Sequence, residues 1–182
     1  MEEIAEPRRR NAASTRARIL AAAFDAFAEQ GYARTGIREI AKGAGVASSL
    51  LVRYFGTKAA LFEEALTHGI YTNSLFTRDR LHFGERMAEM MVGEEDVKLT
   101  SMMVLAIADP ESKAIARKVS RRHVIDPLAE WLGPPHAEAR AQQMVTIFTG
   151  FALQMRHLAD TPVAPESVRW LAHALQEIVD AR

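Results

Sequence analysis

Residues 35–58, TGIREIAKGAGVASSLLVRYFGTK, constrain the chain more than any other stretch. Ile37, Ile40, Ala41 and Ala44 recur at i, i+3, i+4 and i+7, the buried stripe of a short helix, with Thr35 placed to cap it. Gly45 supplies the backbone freedom that a helix C-terminus needs, and Val46 turns back toward the core. Ser48 or Ser49 then opens a second helix whose apolar residues are Leu50, Leu51 and Phe55. The first helix is too short to stand alone, so the two form a packed helix-turn-helix unit. The second helix exposes Ser48, Ser49, Val52 and Arg53, side chains that let a helix sit in the major groove of DNA. The same geometry also occurs as plain packing in all-α proteins, so the pair alone leaves both readings open.

Charge weighs on that choice. Residues 8–58 hold ten Lys and Arg against three acids, a net of +7, whereas residues 59–182 are net −4 and the whole chain is neutral. Positive charge gathered around a candidate reading helix is what a polyanion-facing domain shows when it is attached to a neutral or acidic one. The competing reading is a helical interaction protein whose helix-turn-helix no longer reads DNA. It is favoured only if the overall neutrality reflects a protein partner.

Residues 1–12, ending in Arg8, Arg9, Arg10, Asn11 and Ala12, are expected to form a flexible basic arm with modest attraction to phosphate. A helix is expected from Ser14 or Thr15 to Gln30, stopped by Gly31, with Leu20, Ala23, Phe24 and Phe27 inward and Tyr32 packed under the two short helices. Arg16 and Arg18 point away from that face, within reach of backbone phosphate or of solvent.

Beyond Lys58 the pattern stays helical. Leu61, Phe62, Ala65, Leu66 and Ile70 mark a long helix, and residues 72–84 read as a loop or broken helix. An apolar face at Met87, Met90 and Met91 closes at Gly93. Asp96 is placed to cap a helix through Met102, Met103 and Leu105, ended by Asp109-Pro110. The next helix runs to Leu132 with a kink near Pro127, and Gly133-Pro134-Pro135 is a clear break. Two long apolar helices, 136–159 and 165–181, finish the chain.

Three blocks carry a family resemblance. They are T-R-x-x-I-L-x-A-A-x-x-x-F-x-x-x-G-Y at Thr15–Tyr32, T-G-I-R-E-I-A-K-G-A-G-V at Thr35–Val46 and L-L-V-R-Y-F-G-T-K at Leu50–Lys58. In that order and spacing they resemble the DNA-binding domain of the tetracycline-repressor (TetR) family. The resemblance implies an all-α fold: an N-terminal three-helix DNA-binding domain with a helix-turn-helix, then a larger helical ligand-binding and dimerisation domain. On this reading 1–12 is the arm, 13–58 the DNA-binding domain and 59–182 the second domain.

It also implies a homodimeric regulator, mostly a repressor in this family, bound to double-stranded DNA at a palindromic operator and released by a small-molecule effector. Carried over position by position, Thr35 matches a phosphate contact through hydroxyl and amide, and Arg38 one that reaches base or backbone. Ser48 and Ser49 match the start of the recognition helix, and Lys58 matches a phosphate-binding lysine, with Thr57 capping its helix. The chain departs from the pattern at Ala47, which removes a capping hydroxyl and leaves Ser48 as the cap. Val52 replaces a common Tyr and keeps only its apolar part, and Tyr54 replaces a common His. Arg53 suits either guanine or phosphate.

The last two helices are expected to form the dimer interface through Phe151, Leu171, Leu175 and Ile178, although an ordinary core accounts for the same residues. Met102, Met103, His123, Trp131, Phe148, Phe151 and Met155 are candidate lining for an apolar effector pocket, and each is equally at home in a plain core.

Several classes are excluded. With no cysteine there is no disulfide, thiolate nucleophile or cysteine zinc finger. No G-x-S-x-G, H-E-x-x-H or Gly-rich phosphate loop organises a catalytic site, and no pair of histidines has metal-ligand spacing. No enzyme activity, metal or cofactor is expected. No apolar run approaches the roughly 20 residues that cross a bilayer and no secretory signal is visible, so a cytoplasmic protein without membrane partner is expected.

Overall fold

The computed structural model describes residues 5–72, 79–93 and 97–181, with the backbone alone at 5–11, 72, 97 and 156. Residues 1–4 of the expected arm, the side chains of Arg8, Arg9 and Arg10, residues 73–78 of the expected loop and the expected cap Asp96 lie outside this description. Every regular element among the described residues is helical: α1 (Ala5–Arg34), α2 (Ile37–Gly43), α3 (Ser48–Phe55), α4 (Lys58–Thr72), α5 (Phe83–Val92), α6 (Val97–Ala106), α7 (Pro110–Ser120), α8 (Asp126–Leu132), α9 (Ala137–Ala152) and α10 (Pro165–Asp180), with π-helical turns at Arg121–Ile125 and Leu153–Leu158.

The first helix starts at Ala5, not at Ser14 or Thr15. Pro7 falls in its first turn, where backbone N–H groups have no helical acceptor, so the proline costs no bond. No glycine interrupts Arg8–Gln30. Gly31, at φ +76°, breaks the helix where the sequence predicts a stop. The kink expected near Pro127 is realised one turn earlier, as the π-helical turn Arg121–Ile125. Pro127 has no N–H to offer the carbonyl four residues back, and the wider turn absorbs the mismatch.

Two compact units result. The first comprises residues 1–69 and 102–116, the second residues 70–101 and 117–182. The first unit thus takes in most of α4 and the α6–α7 corner besides the three N-terminal helices, more than the 13–58 segment read from the sequence.

Its core is aromatic at the centre. Phe27 and Phe62 meet edge to face at 5.1 Å, and Tyr32 lies 5.2 Å from Phe62 and 6.0 Å from Phe27. Ile19, Ala23, Ile40, Leu51, Leu61 and Leu66 are buried around them. A methyl on Gly69 would sit 2.4 Å from the Phe24 ring, so only glycine lets α4 approach α1 this closely.

The second unit packs α5, α8, α9 and α10 around Phe83, Met87, Met91, Leu128, Leu132, Ala141, Met144, Phe151, Leu171 and Leu175. The backbones of α5 and α10 nearly touch, because a methyl on Gly84 would come within 2.0 Å of the Ala172 carbonyl. The Gly84 N–H donates to the Gln176 side chain at 3.0 Å. Arg140, 6% exposed, donates to Leu132 and Gly133 at the end of α8 and to Ile178 and Ala181 at the end of α10. A cation among carbonyls at two helix C-termini is favourably placed against both dipoles.

Candidate nucleic-acid interface

The turn between α2 and α3 is built from backbone bonds. Val46 N–H donates to the Ala41 carbonyl at 3.0 Å and Gly45 N–H to that of Lys42 at 3.1 Å, with Gly45 at φ +64°. These are the two bonds of a Schellman C-cap, which needs the left-handed residue that glycine supplies most cheaply. Arg18 of α1 donates to the Ala44 carbonyl at 2.5 Å and to that of Gly45 at 3.3 Å. Arg18 is therefore a strut of the turn. Arg16 pairs with Glu64 and lies 5.2 Å from the centre of the Phe55 ring, so it too is engaged inside the unit.

Fixed from behind by Leu51 and Phe55, α3 turns Ser49, Val52 and Arg53 outward, and Val52 is 55% exposed. Ser48 is half-buried as the first residue of α3; its N-cap is Ala47, which offers no side-chain bond, so Ser48 does not fill the capping position. Tyr54 is half-buried with Arg53 5.8 Å from its ring centre. Arg38 is exposed on α2. Thr57 caps α4 as expected, accepting the Ala60 N–H at 3.0 Å. Lys58, at the first turn of α4, holds its ammonium 4.4 Å above the Tyr32 ring.

Thr35 differs from expectation. It is 1% exposed, and its hydroxyl shares its proton between the carbonyls of Gly31 at 2.8 Å and Ala26 at 3.1 Å, while its N–H donates to Gly31 at 3.3 Å. The N-cap of α2 is Gly36. Both polar groups of Thr35 are thus bonded to main-chain carbonyls around the Gly31 break, and neither is available to a phosphate.

Sequence reasoning missed the partner of Tyr32. Its hydroxyl donates to Glu111 of α7 at 2.5 Å. Burial first, then this bond and the nearby carboxylates, hold the phenol above its usual range. Seventy-nine residues separate the two, and no local pattern announces such a contact.

The residues expected at a dimer interface divide. Phe151, Leu171 and Leu175 are 5%, 0% and 0% exposed in the core of the second unit, so no partner reaches them; α10 spends that stripe on its own protomer, chiefly against α5. Ile178 is half-buried beside an open groove of about 740 Å³ between α9 and α10, lined also by Gln143, Thr146, Ile147 and Ala174.

The candidate effector residues are not gathered around that groove. Met102, in the first unit, is fully buried, and Met103 beside it is half-buried. Trp131 is taken up by Phe83 at 4.9 Å and Arg80 at 4.7 Å. Phe148 and Met155 are half-buried against the second core, and His123 lies 3.0 Å from the Tyr71 hydroxyl. Among the described residues no group of three or more His, Cys, Asp or Glu could hold a metal, and no helix is long and apolar enough to cross a membrane.

Comparison with known proteins agrees with this geometry. Residues 19–65 match the model of bacterial regulatory proteins of the tetR family, and residues 82–179 match a tetracyclin repressor-like C-terminal domain. An HTH-type transcriptional repressor of Mycobacterium tuberculosis is 50% identical over 52 residues, which span 29% of this chain and 28% of that protein. A transcriptional regulator from Rhodococcus sp. superposes with a TM-score of 0.63 at 27% identity, over 90% of this chain and 93% of that one. The multidrug binding protein EbrR, solved with ethidium, shares the fold with a TM-score of 0.66 at 20% identity, over 90% of this chain and 98% of that one. With both parts of the chain matched, the protein belongs to the TetR family of DNA-binding bacterial transcriptional regulators.

Proposed function

We propose that two copies of this chain bind an inverted-repeat operator, repress transcription from it, and leave it when a small apolar effector binds the second unit. The observation that carries the reading is the outer face of α3, where Ser49, Val52 and Arg53 stand exposed in a region of net +7. Arg53 offers a fork for guanine, Ser49 a hydroxyl and Val52 an apolar contact for a thymine methyl. Arg38 and Lys58 position the helix on phosphate, and Tyr54 adds a hydroxyl beside Arg53.

Dimerisation is assigned to the α9–α10 groove in place of the buried stripe. Ala139, Ala174 and Thr146 are small enough to let the same helices of a second copy approach, and Ile147 and Ile178 give the contact its apolar centre. Two such heads reach successive major grooves about 34 to 36 Å apart. For the effector, the half-buried His123, Phe148 and Met155 of the second unit are contacts that remain accessible to a ligand. EbrR, solved with ethidium, a flat aromatic cation, supports a small-molecule site in a fold of this kind. Release requires that the effector favour the DNA-free state, whatever its absolute affinity. The protein is non-catalytic and acts in the cytoplasm, where the DNA is.

Selection of bound duplexes from a random DNA library by the purified protein tests this. An inverted repeat should emerge, and Arg38→Ala should weaken its capture. A folded dimer that enriches no sequence would favour the interaction-protein reading instead.

A further inference from the structure

The corner between α6 and α7 touches the break between α1 and α2 at two points. Leu105 lies 3.4 Å from where a Gly31 methyl would be, and Glu111 accepts the Tyr32 hydroxyl at 2.5 Å. The backbone of Glu111 is anchored at the start of α7, while its side chain is exposed. Asp109 accepts the N–H groups of Glu111 and Ser112, each at 3.0 Å, and the fully buried Ser112 donates back to the Ala106 carbonyl at 2.9 Å. Tyr32 is equally fixed on its ring side by Phe27 and Phe62, with Lys58 above it. A carboxylate accepting the phenolic proton enriches the ring in electrons and so strengthens its hold on the ammonium. One chain of contacts thus runs from Glu111 of α7 through Tyr32 to Lys58 in the first turn of α4.

We propose that Glu111, acting through Tyr32, is a positioning residue for Lys58 and for the α2–α3 pair, so that the α6–α7 corner sets the DNA affinity of the head. This rests on the reading of the head as a DNA binder. On this proposal the Tyr32–Glu111 bond is what presents Lys58 at a fixed place on the phosphate backbone. The Tyr32→Phe variant keeps the ring and loses the bond, Glu111→Ala removes the acceptor, and Glu111→Gln keeps an acceptor oxygen.

Two measurements on the full chain test the proposal, the first being affinity for the duplex selected by the unmodified protein. Tyr32→Phe and Glu111→Ala should each weaken it about tenfold, the double variant no further than either alone, and Glu111→Gln should stay within about threefold. The salt dependence should keep its slope in all three, because no phosphate contact is deleted. The second is amide hydrogen exchange in DNA-free protein, which reads the corner whether or not DNA is bound. Protection across residues 37–55 should fall about tenfold in Tyr32→Phe and Glu111→Ala and be restored in Glu111→Gln. Unchanged protection in Tyr32→Phe overturns the coupling itself. Altered protection in a protein that selects no duplex retains the coupling and instead removes the DNA-binding reading. Additive losses in the double variant would show that the two residues act separately and would also overturn it.

Discussion

Two exposed faces among the described residues are built on opposite plans. The outer face of α3 is a narrow row, Ser49, Val52 and Arg53, on a helix of eight residues, charged at one end and part of a segment of net charge +7. The α9–α10 groove is broad, made of alanines, glutamines, Thr146, two isoleucines and Glu177 over the buried Arg140. The first suits a polyanion whose grooves admit a single helix; the second suits another copy of itself. Each face depends on polar struts: the exposed Arg18 and the buried Thr35 for the helix-turn-helix, the buried Arg140 under the groove.

The difference between the faces is open to test, beginning with the largest effect. Leu175→Asp buries a charge in the second core and should destabilise by more than about 3 kcal/mol in urea denaturation. Ile178→Asp, at a half-buried position, should cost the monomer less than Leu175→Asp and yet dissociate the dimer on sedimentation; an intact dimer would remove the groove from its assigned role. Arg140→Met strips the carbonyls at the ends of α8 and α10 of their donor and should cost about 2 to 4 kcal/mol, seen as a lowered urea midpoint. A neutral outcome would mean that water serves those carbonyls as well.

On the α3 side the effects are smaller. Lys58→Ala should weaken operator binding uniformly across sequences and flatten the slope of log affinity against log salt by about 1. An unaltered slope would mean that the Lys58 ammonium stays on Tyr32 and never meets phosphate. The alkaline limb of stability isolates Tyr32 itself. Its phenol is held above the usual value in the folded state, so stability is constant until the unfolded chain starts to ionise near pH 10 and then declines. The decline should be steeper than in Tyr32→Phe by at most about 1.4 kcal/mol per pH unit. Parallel curves for the two proteins would mean that Tyr32 ionises as freely folded as unfolded.

The helix-turn-helix could be read from sequence because its signals are local. Gly45 demands a left-handed turn, and the stripe at Ile40, Ala41 and Ala44 has one period. The α9–α10 face could not, because periodicity reports that Leu171 and Leu175 are buried without reporting against what. In the protein α5 claims them, and the face left over is marked only by small and amide side chains that look like ordinary surface. Thr35 failed for a related reason. A threonine ahead of a helix reads as a cap, and only the carbonyls freed four residues earlier by Gly31 reveal why its hydroxyl turns inward. Glu111 lies too far along the chain for any pattern to pair it with Tyr32.

On the proposed function, α3 reads sequence with its outer face. The most direct measurement is the base-preference profile of the selected operator for the unmodified protein and for the variant carrying Ser49→Ala, Val52→Ala and Arg53→Ala together. The account predicts that preference collapses at the same few base pairs of both half-sites, while salt-dependent binding to unrelated DNA persists. An unchanged profile in a folded dimer would place the reading surface elsewhere and contradict the account.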